Sequence, residues 1–190
     1  ALTLILPREV LAQTPQVKQL LLKPSVASAA PAEATVTFGA NNTQSKRSTG
    51  ANSANLIMGS ESNRALVALL SFDGVDPTGV SVFWDPAGTN QALTKACGVT
   101  TGVGATTEIW VLVNPTTGTL PAVVNWTGGF FCFIELAYFY NVNQSTPVAS
   151  FSTGTSVTTV SLSSAANRKV VGCISSTANP TGVTGTQLYY

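Results

Sequence analysis

The 190-residue sequence contains no histidine. This excludes a Ser-His-Asp or Cys-His nucleophilic mechanism and any His-ligated metal site. Charge is also scarce. Lys, Arg, Asp and Glu make up 9% of the chain, against about 25% in an ordinary soluble domain. The net charge of +1 leaves no basic stripe to neutralise phosphates, so nucleic acid is not an expected partner. Lys46-Arg47 and Arg168-Lys169 are isolated pairs that read as solvated turn residues. No run approaches the ~20 apolar residues that span a bilayer, so no membrane is expected. The start, ALTLILPREV, lacks the basic region of a signal peptide. Ala1 in first position matches the product of initiator Met removal, which fits a protein made and assembled in a host cytoplasm. The three cysteines, Cys97, Cys132 and Cys173, are odd in number and without CxxC spacing. They read as buried thiols acting as small hydrophobes, with a Cys132–Cys173 disulfide left open should their strands face each other.

What is present is 44% hydrophobic residues among Ser, Thr, Asn and Gln. Such a surface is solvated without strong fields. It is common in extracellular and virion β-proteins, and it leaves few charges to hold copies apart. Residues 1–34 stand apart. LTLIL is strand-like and stops at Pro7; helix formers follow, and Pro15 leaves Gln16–Leu22 as one or two helical turns. SVASAAPAEA then reads as a tether. An arm carrying Leu2, Leu4, Ile5, Leu6, Leu20, Leu21 and Leu22 must bury these side chains on its own domain or on another subunit. The tether favours the second, which makes these seven residues the expected partner-binding set.

From residue 35 to 190 the pattern is β. TVTF is a short strand, and Gly39–Asn55 reads as a polar loop. ALVALLSF is a strand buried on both faces. VSVFW, EIWVLVN, LPAVVNW, FFCFIELAYFY, SVTTVSLSS and NRKVVGCIS follow, separated by Gly, Pro, Asn or Asp turns. In EIWVLVN, Ile109, Val111 and Val113 share one face, and Glu108, Trp110 and Leu112 the other. Strands at this spacing predict an antiparallel sandwich or barrel. NRALVALLS at Asn63–Ser71 and NRKVVGCIS at Asn167–Ser175 repeat one design, a polar Asn-Arg turn entering a core strand.

The order NRALVALLSF, VSVFW…NQALT, EIWVLVNPTTGT, FYNVNQSTP resembles a lectin-like jelly-roll β-sandwich module of phage virion proteins and bacterial surface proteins. The correspondence runs through Asn63–Phe72, Asn90–Thr94, Ile109–Thr119 and Phe139–Pro147. Asn90 stands where that module has Gly, and Asn141-Val-Asn-Gln where it has Gly-Val-Asp-Gln. The resemblance implies a further closing strand beyond Tyr189-Tyr190, expected to be short, absent or supplied by a neighbour. The resemblance implies an all-β antiparallel jelly-roll sandwich at residues 35–190, behind an extended, partly helical N-terminal arm at residues 1–34. It implies a virion structural protein, either a capsid decoration (cement) protein or a tail or head fibre component. Its partners would be other virion proteins and copies of itself, with a trimer following from the resemblance. The alternative is a carbohydrate-binding module, extracellular or on the virion, for host or substrate attachment.

Candidate chemistry is thin, and neither an enzyme nor a cofactor is expected. Glu108 and Glu135 are the carboxylates that could face one groove as a hydrolytic pair. Glu135, set in FFCFIELAYF, needs a partner or a raised pKa if buried. A sugar site needs an exposed aromatic face beside an amide or carboxylate. Trp84 with Asp85, at the end of its strand, is the most exposed candidate, ahead of Trp110 with Glu108 and Tyr138 or Tyr140 with Asn141. Asp73 and Asp76 lack the spacing of a calcium loop. Sequons at Asn41, Asn125 and Asn143 fit chance in an Asn- and Thr-rich chain.

Overall fold

Ala65–Asp73 carries six apolar residues in succession, and all six are buried. An alternating strand can bury every residue only if both of its faces are covered. In the computed structural model, which describes residues 16–22, 34–46, 50–73, 76–100, 105–128, 131–154 and 166–175, both faces are. The strands are β1 (Gln16–Leu22), β2 (Thr37–Lys46), β3 (Ala51–Met58), β4 (Ala65–Asp73), β5 (Thr78–Trp84), β6 (Gln91–Ala92), β7 (Thr94–Thr100), β8 (Ala105–Val113), β9 (Gly118–Thr127), β10 (Phe131–Tyr140), β11 (Val148–Gly154) and β12 (Lys169–Ser175). Among the described residues there is no helix.

A central five-stranded sheet has the order β2-β10-β4-β8-β7, and a four-stranded sheet the order β3-β9-β5-β6. Every pairing is antiparallel. The two sheets enclose one core, with Leu66, Leu70 and Phe72 of β4 meeting Leu56, Val82, Trp84 and Trp126. Phe72 and Trp126 meet edge to face at 5.6 Å. A third sheet, β11-β1-β12, covers the other face of the central sheet. Beneath it lies a second core, in which Val67, Leu69, Ile109 and Val111 pack with Leu22, Val171 and Cys173. The alternation expected for EIWVLVN is therefore observed, with Ile109 and Val111 in one core and Trp110 and Leu112 against the other.

The pairings are nested. β5 pairs with β6, β4 with β8, β3 with β9 and β2 with β10. This is one long antiparallel ribbon with its tip at the turn 85–90. The ribbon is rolled so that β4 also meets β10 and β5 meets β9. Turns at the strand ends use Asn63, Asn90, Asn114, Asn141 and Asn167, all with positive φ. Asn tolerates this left-handed conformation better than most residues. Both Asn-Arg stretches share this geometry, with φ of 56° at Asn63 and 65° at Asn167. The strands they open, β4 and β12, lie in different sheets but line the same core. Arg64 donates to the backbone carbonyls of Glu61 and Pro115, which ties this margin together.

Three expectations are corrected here. Gln16–Leu22 is a strand, not helical turns. Hydrogen bonding on both sides, to β11 and β12, outweighs the helix propensity of its Leu, Gln and Lys residues. Gly39–Asn55 is not one loop, since β2 runs to Lys46 and β3 begins at Ala51. In β3 the polar residues Ser53 and Asn55 are exposed while Ala54 and Leu56 are buried, so the polar composition belongs to a solvated strand face. Finally, β1 pairs with β11 and β12 across the expected boundary at residue 34. The expected strand SVTTVSLSS, residues 156–164, lies outside the described residues.

Candidate functional site

Trp84 is the inward-facing last residue of β5 and has no exposed surface. Its indole N–H donates to the Thr116 carbonyl at 2.9 Å. The expectation that it offers a sugar-stacking face is therefore corrected: the ring is core, and its polar edge is satisfied inside the protein. The reason is parity. Ser81 and Phe83 point outward, so Val82 and Trp84 point into the sandwich. Asp85 is nearly buried as well and adopts φ 50°. Its carboxylate accepts from the Thr89 amide at 2.8 Å and the Thr89 hydroxyl at 3.0 Å. The pair thus forms the tip of the rolled ribbon.

The carboxylates Glu108 and Glu135 are both buried. In the ladders, Glu108 stands opposite Leu70 and Glu135 opposite Leu69. Leu70 and Leu69 are consecutive on β4 and belong to different cores. The two carboxylates therefore lie on opposite faces of the central sheet and share no groove. Glu108 pairs with Lys95 and accepts from the Trp110 indole N–H at 2.9 Å. Glu135 accepts only a long bond, 3.4 Å, from Asn41 Nδ2. Burial pushes its carboxyl up to about 7, and the Asn41 bond only partly offsets this. On the same face the Thr107 hydroxyl is buried without a hydrogen-bond partner.

The three cysteines are buried, and none is joined in a disulfide. Cys132 belongs to the core between the two larger sheets and Cys173 to the core under the third sheet. The central sheet separates them, so the Cys132–Cys173 disulfide is absent. Burial raises the Cys132 thiol to about 12, with Asn52 opposing and Glu108 adding to the shift.

Of the expected arm residues, Leu2, Leu4, Ile5 and Leu6 lie outside the described residues, and Leu20 and Leu21 lie within β1. Leu22 has no exposed surface and packs in the second core of its own chain. Its expected place at a partner interface is corrected to an internal one. Asn143 Oδ1 accepts from the amides of Ser145 and Thr146, forming a local turn. Thr106 donates to Asp76 at 2.8 Å. Among the described residues, no three of Cys, Asp and Glu converge as a metal site.

The open surface lies elsewhere. A groove of about 260 Å³ runs between β2 and β3, the neighbouring edges of the two larger sheets. Ala40, Leu56 and Ile57 form its apolar part; Asn41, Asn42, Asn55 and Thr119 form its polar part. Asn42 Nδ2 donates to the Asn55 carbonyl, which ties β2 to β3 along the groove. The sequence reading missed this groove because Gly39–Asn55 looked like one loop. No family model, curated protein or solved structure matches the chain.

Proposed function

We propose that the chain is a structural, non-enzymatic module of a virus particle, built on a jelly-roll sandwich. It would serve as a capsid decoration protein or as a component of a tail or head fibre. The observation that carries the reading is the strand order. Nested pairs β5·β6, β4·β8, β3·β9 and β2·β10, closed by β4·β10 and β5·β9, are what a rolled antiparallel ribbon produces. Double-sheet folds of that kind recur in capsid and lectin domains. Scarce charge supports the same reading, because surfaces destined for assembly gain from having few charges to desolvate.

The attachment segment in this proposal is residues 1–15, since β1 and Leu22 are committed to the chain's own third sheet. The test is immunoelectron microscopy of purified particles with antibody raised against the chain. Regular labelling of heads or tails is expected for the full chain, and loss of labelling when residues 1–15 are deleted. A chain found only in the unassembled fraction overturns the reading. A carbohydrate-binding role is the second reading. Its support is the amide-lined groove between β2 and β3, not Trp84 and Asp85.

A further inference from the structure

The four-stranded sheet contains no charged residue. None occurs in β3, β9, β5 or β6. The central sheet, by contrast, carries Lys46, Asp73, Lys95, Glu108 and Glu135. The inward residues of the four-stranded sheet fill the main core. Its outward residues meet no other layer among the described residues. An apolar band crosses this outward face on all four strands. Ile57 lies diagonal to Pro121, Val123 follows two residues on, Phe83 stands opposite Val123, and Ala92 stands opposite Phe83. Ile57 is 68% exposed, the most exposed of the large apolar residues described. Ser53, Asn55, Asn125 and Ser81 flank the band on one side, Thr119 on the other.

We infer that this face is a self-association surface, covered by a second copy of the same chain through a twofold contact. The inference goes beyond the assembly reading: it pairs two copies through a twofold axis, where the resemblance implied a trimer. Two observations select a second copy as the occupant. The first is charge. A twofold contact sets each patch against itself, so any charge of one sign would meet its own kind. This face has none, while its Ser, Thr and Asn side chains both donate and accept and can pair with their own copies. The second is area. From Thr119 to Thr127, β9 spans about 26 Å at ~3.3 Å per residue, and four strands at ~4.8 Å spacing span about 19 Å. Because β5 and β6 are shorter than β9, the face offers about 430 Å² per copy, or about 850 Å² for a pair, the size of a weak, reversible contact. The band also ends at the groove through Ile57, which gives the contact an indented end.

Sedimentation equilibrium of the full chain over a concentration series tests this. Wild type is expected to self-associate. Ile57→Asp is expected to weaken association by 10-fold or more, because a twofold contact carries the substitution twice. Val123→Asp, nearer the centre of the band, should act in the same direction. Phe151→Asp, on β11 of the third sheet and 57% exposed, should leave association unchanged. Circular dichroism and the thermal midpoint establish that each variant is folded. A wild type that stays monomeric at millimolar concentration overturns the inference, and so does a folded Ile57→Asp that associates like wild type. A monomeric wild type that binds neutral oligosaccharides on an array, and loses them on Ile57→Asp, overturns it in favour of a glycan. The assembly reading is scored separately by particle labelling: a monomer found on particles refutes this surface and leaves that reading standing.

Discussion

Replacing Glu135 by Gln should stabilise the protein at neutral and alkaline pH. The carboxyl is 1% exposed, on the face of the central sheet that carries the second core, with one long bond to Asn41. Burial disfavours its charged form and raises it from 4.5 to about 7. A raised carboxyl costs the fold nothing below the unfolded value, because both states are then protonated. Between 4.5 and about 7 the unfolded chain ionises while the folded chain resists. Stability therefore falls as pH rises through that window and levels off above it. At 1.36 kcal/mol per pKa unit the full loss is about 3 kcal/mol, a large part of the ~5–15 kcal/mol that holds a domain together. Urea unfolding of wild type and Glu135→Gln at pH 4.5, 6 and 8 measures it. The difference should be near zero at pH 4.5 and reach about 2–3 kcal/mol in favour of the variant at pH 8. Comparing the two proteins cancels the other titrating groups. A difference that does not change with pH, or a wild type more stable than the variant at pH 8, would refute the assignment of Glu135 as a buried, poorly compensated acid.

Other outcomes follow from the same layers. Trp84→Ala should lower stability by about 3–5 kcal/mol in denaturant titration, the cost of emptying a core site. Trp84→Phe should keep most of the packing but leave the Thr116 carbonyl without its donor, at a cost of about 1–3 kcal/mol. Deleting residues 1–15 should leave the thermal midpoint within a few degrees, whereas deleting 1–34 removes β1 and opens the second core. Dye binding to exposed apolar surface should rise sharply only in the longer deletion. The three thiols should resist a disulfide-exchange reagent in the native state and react fully in denaturant. The Cys132 thiol should stay unreactive at pH 9, and a non-reducing gel should show no internal crosslink.

The strands made of consecutive apolar residues were legible because they lack Pro, are bounded by turn residues and, in the longer run, are rich in aromatic and β-branched side chains. Ala65–Asp73 and Phe131–Tyr140 are such strands, and both lie inside the central sheet. Asn63 and Asn167 were legible as turns for a local reason, since few residue types accept positive φ. Gln16–Leu22 was misread because its propensity is local while its partners, β11 and β12, lie more than a hundred residues away. Trp84 was misread because its position at a strand end suggested exposure; only the register of β5 against β9 decides which face it takes. The separation of Glu108 from Glu135, and of Cys132 from Cys173, turns on parity within paired strands. A one-residue shift would have reversed either result. The third sheet itself left no mark in the sequence beyond the need of β4 for cover on both sides.

The rolled ribbon also sets the order in which strand pairs can form as the chain is made. Each outer pairing joins an early strand to a late one, so synthesis from the N-terminus delivers β2, β3 and β4 before any of their ribbon partners exist. The strongly apolar β4 must wait for β8, which ends roughly 40 residues later, a delay of several seconds at ~5–20 residues per second. Throughout that interval the most hydrophobic early strand of the chain emerges from the ribosome unpaired. The tip 85–90 is the first point at which the ribbon can begin to close, and pairing can then spread outward with each inner rung shortening the loop that the next must close. Yield in a host cell is thus governed by how long the nascent β4 is shielded, and slower growth temperatures or a holding chaperone should raise the soluble fraction more than any change to the finished surface.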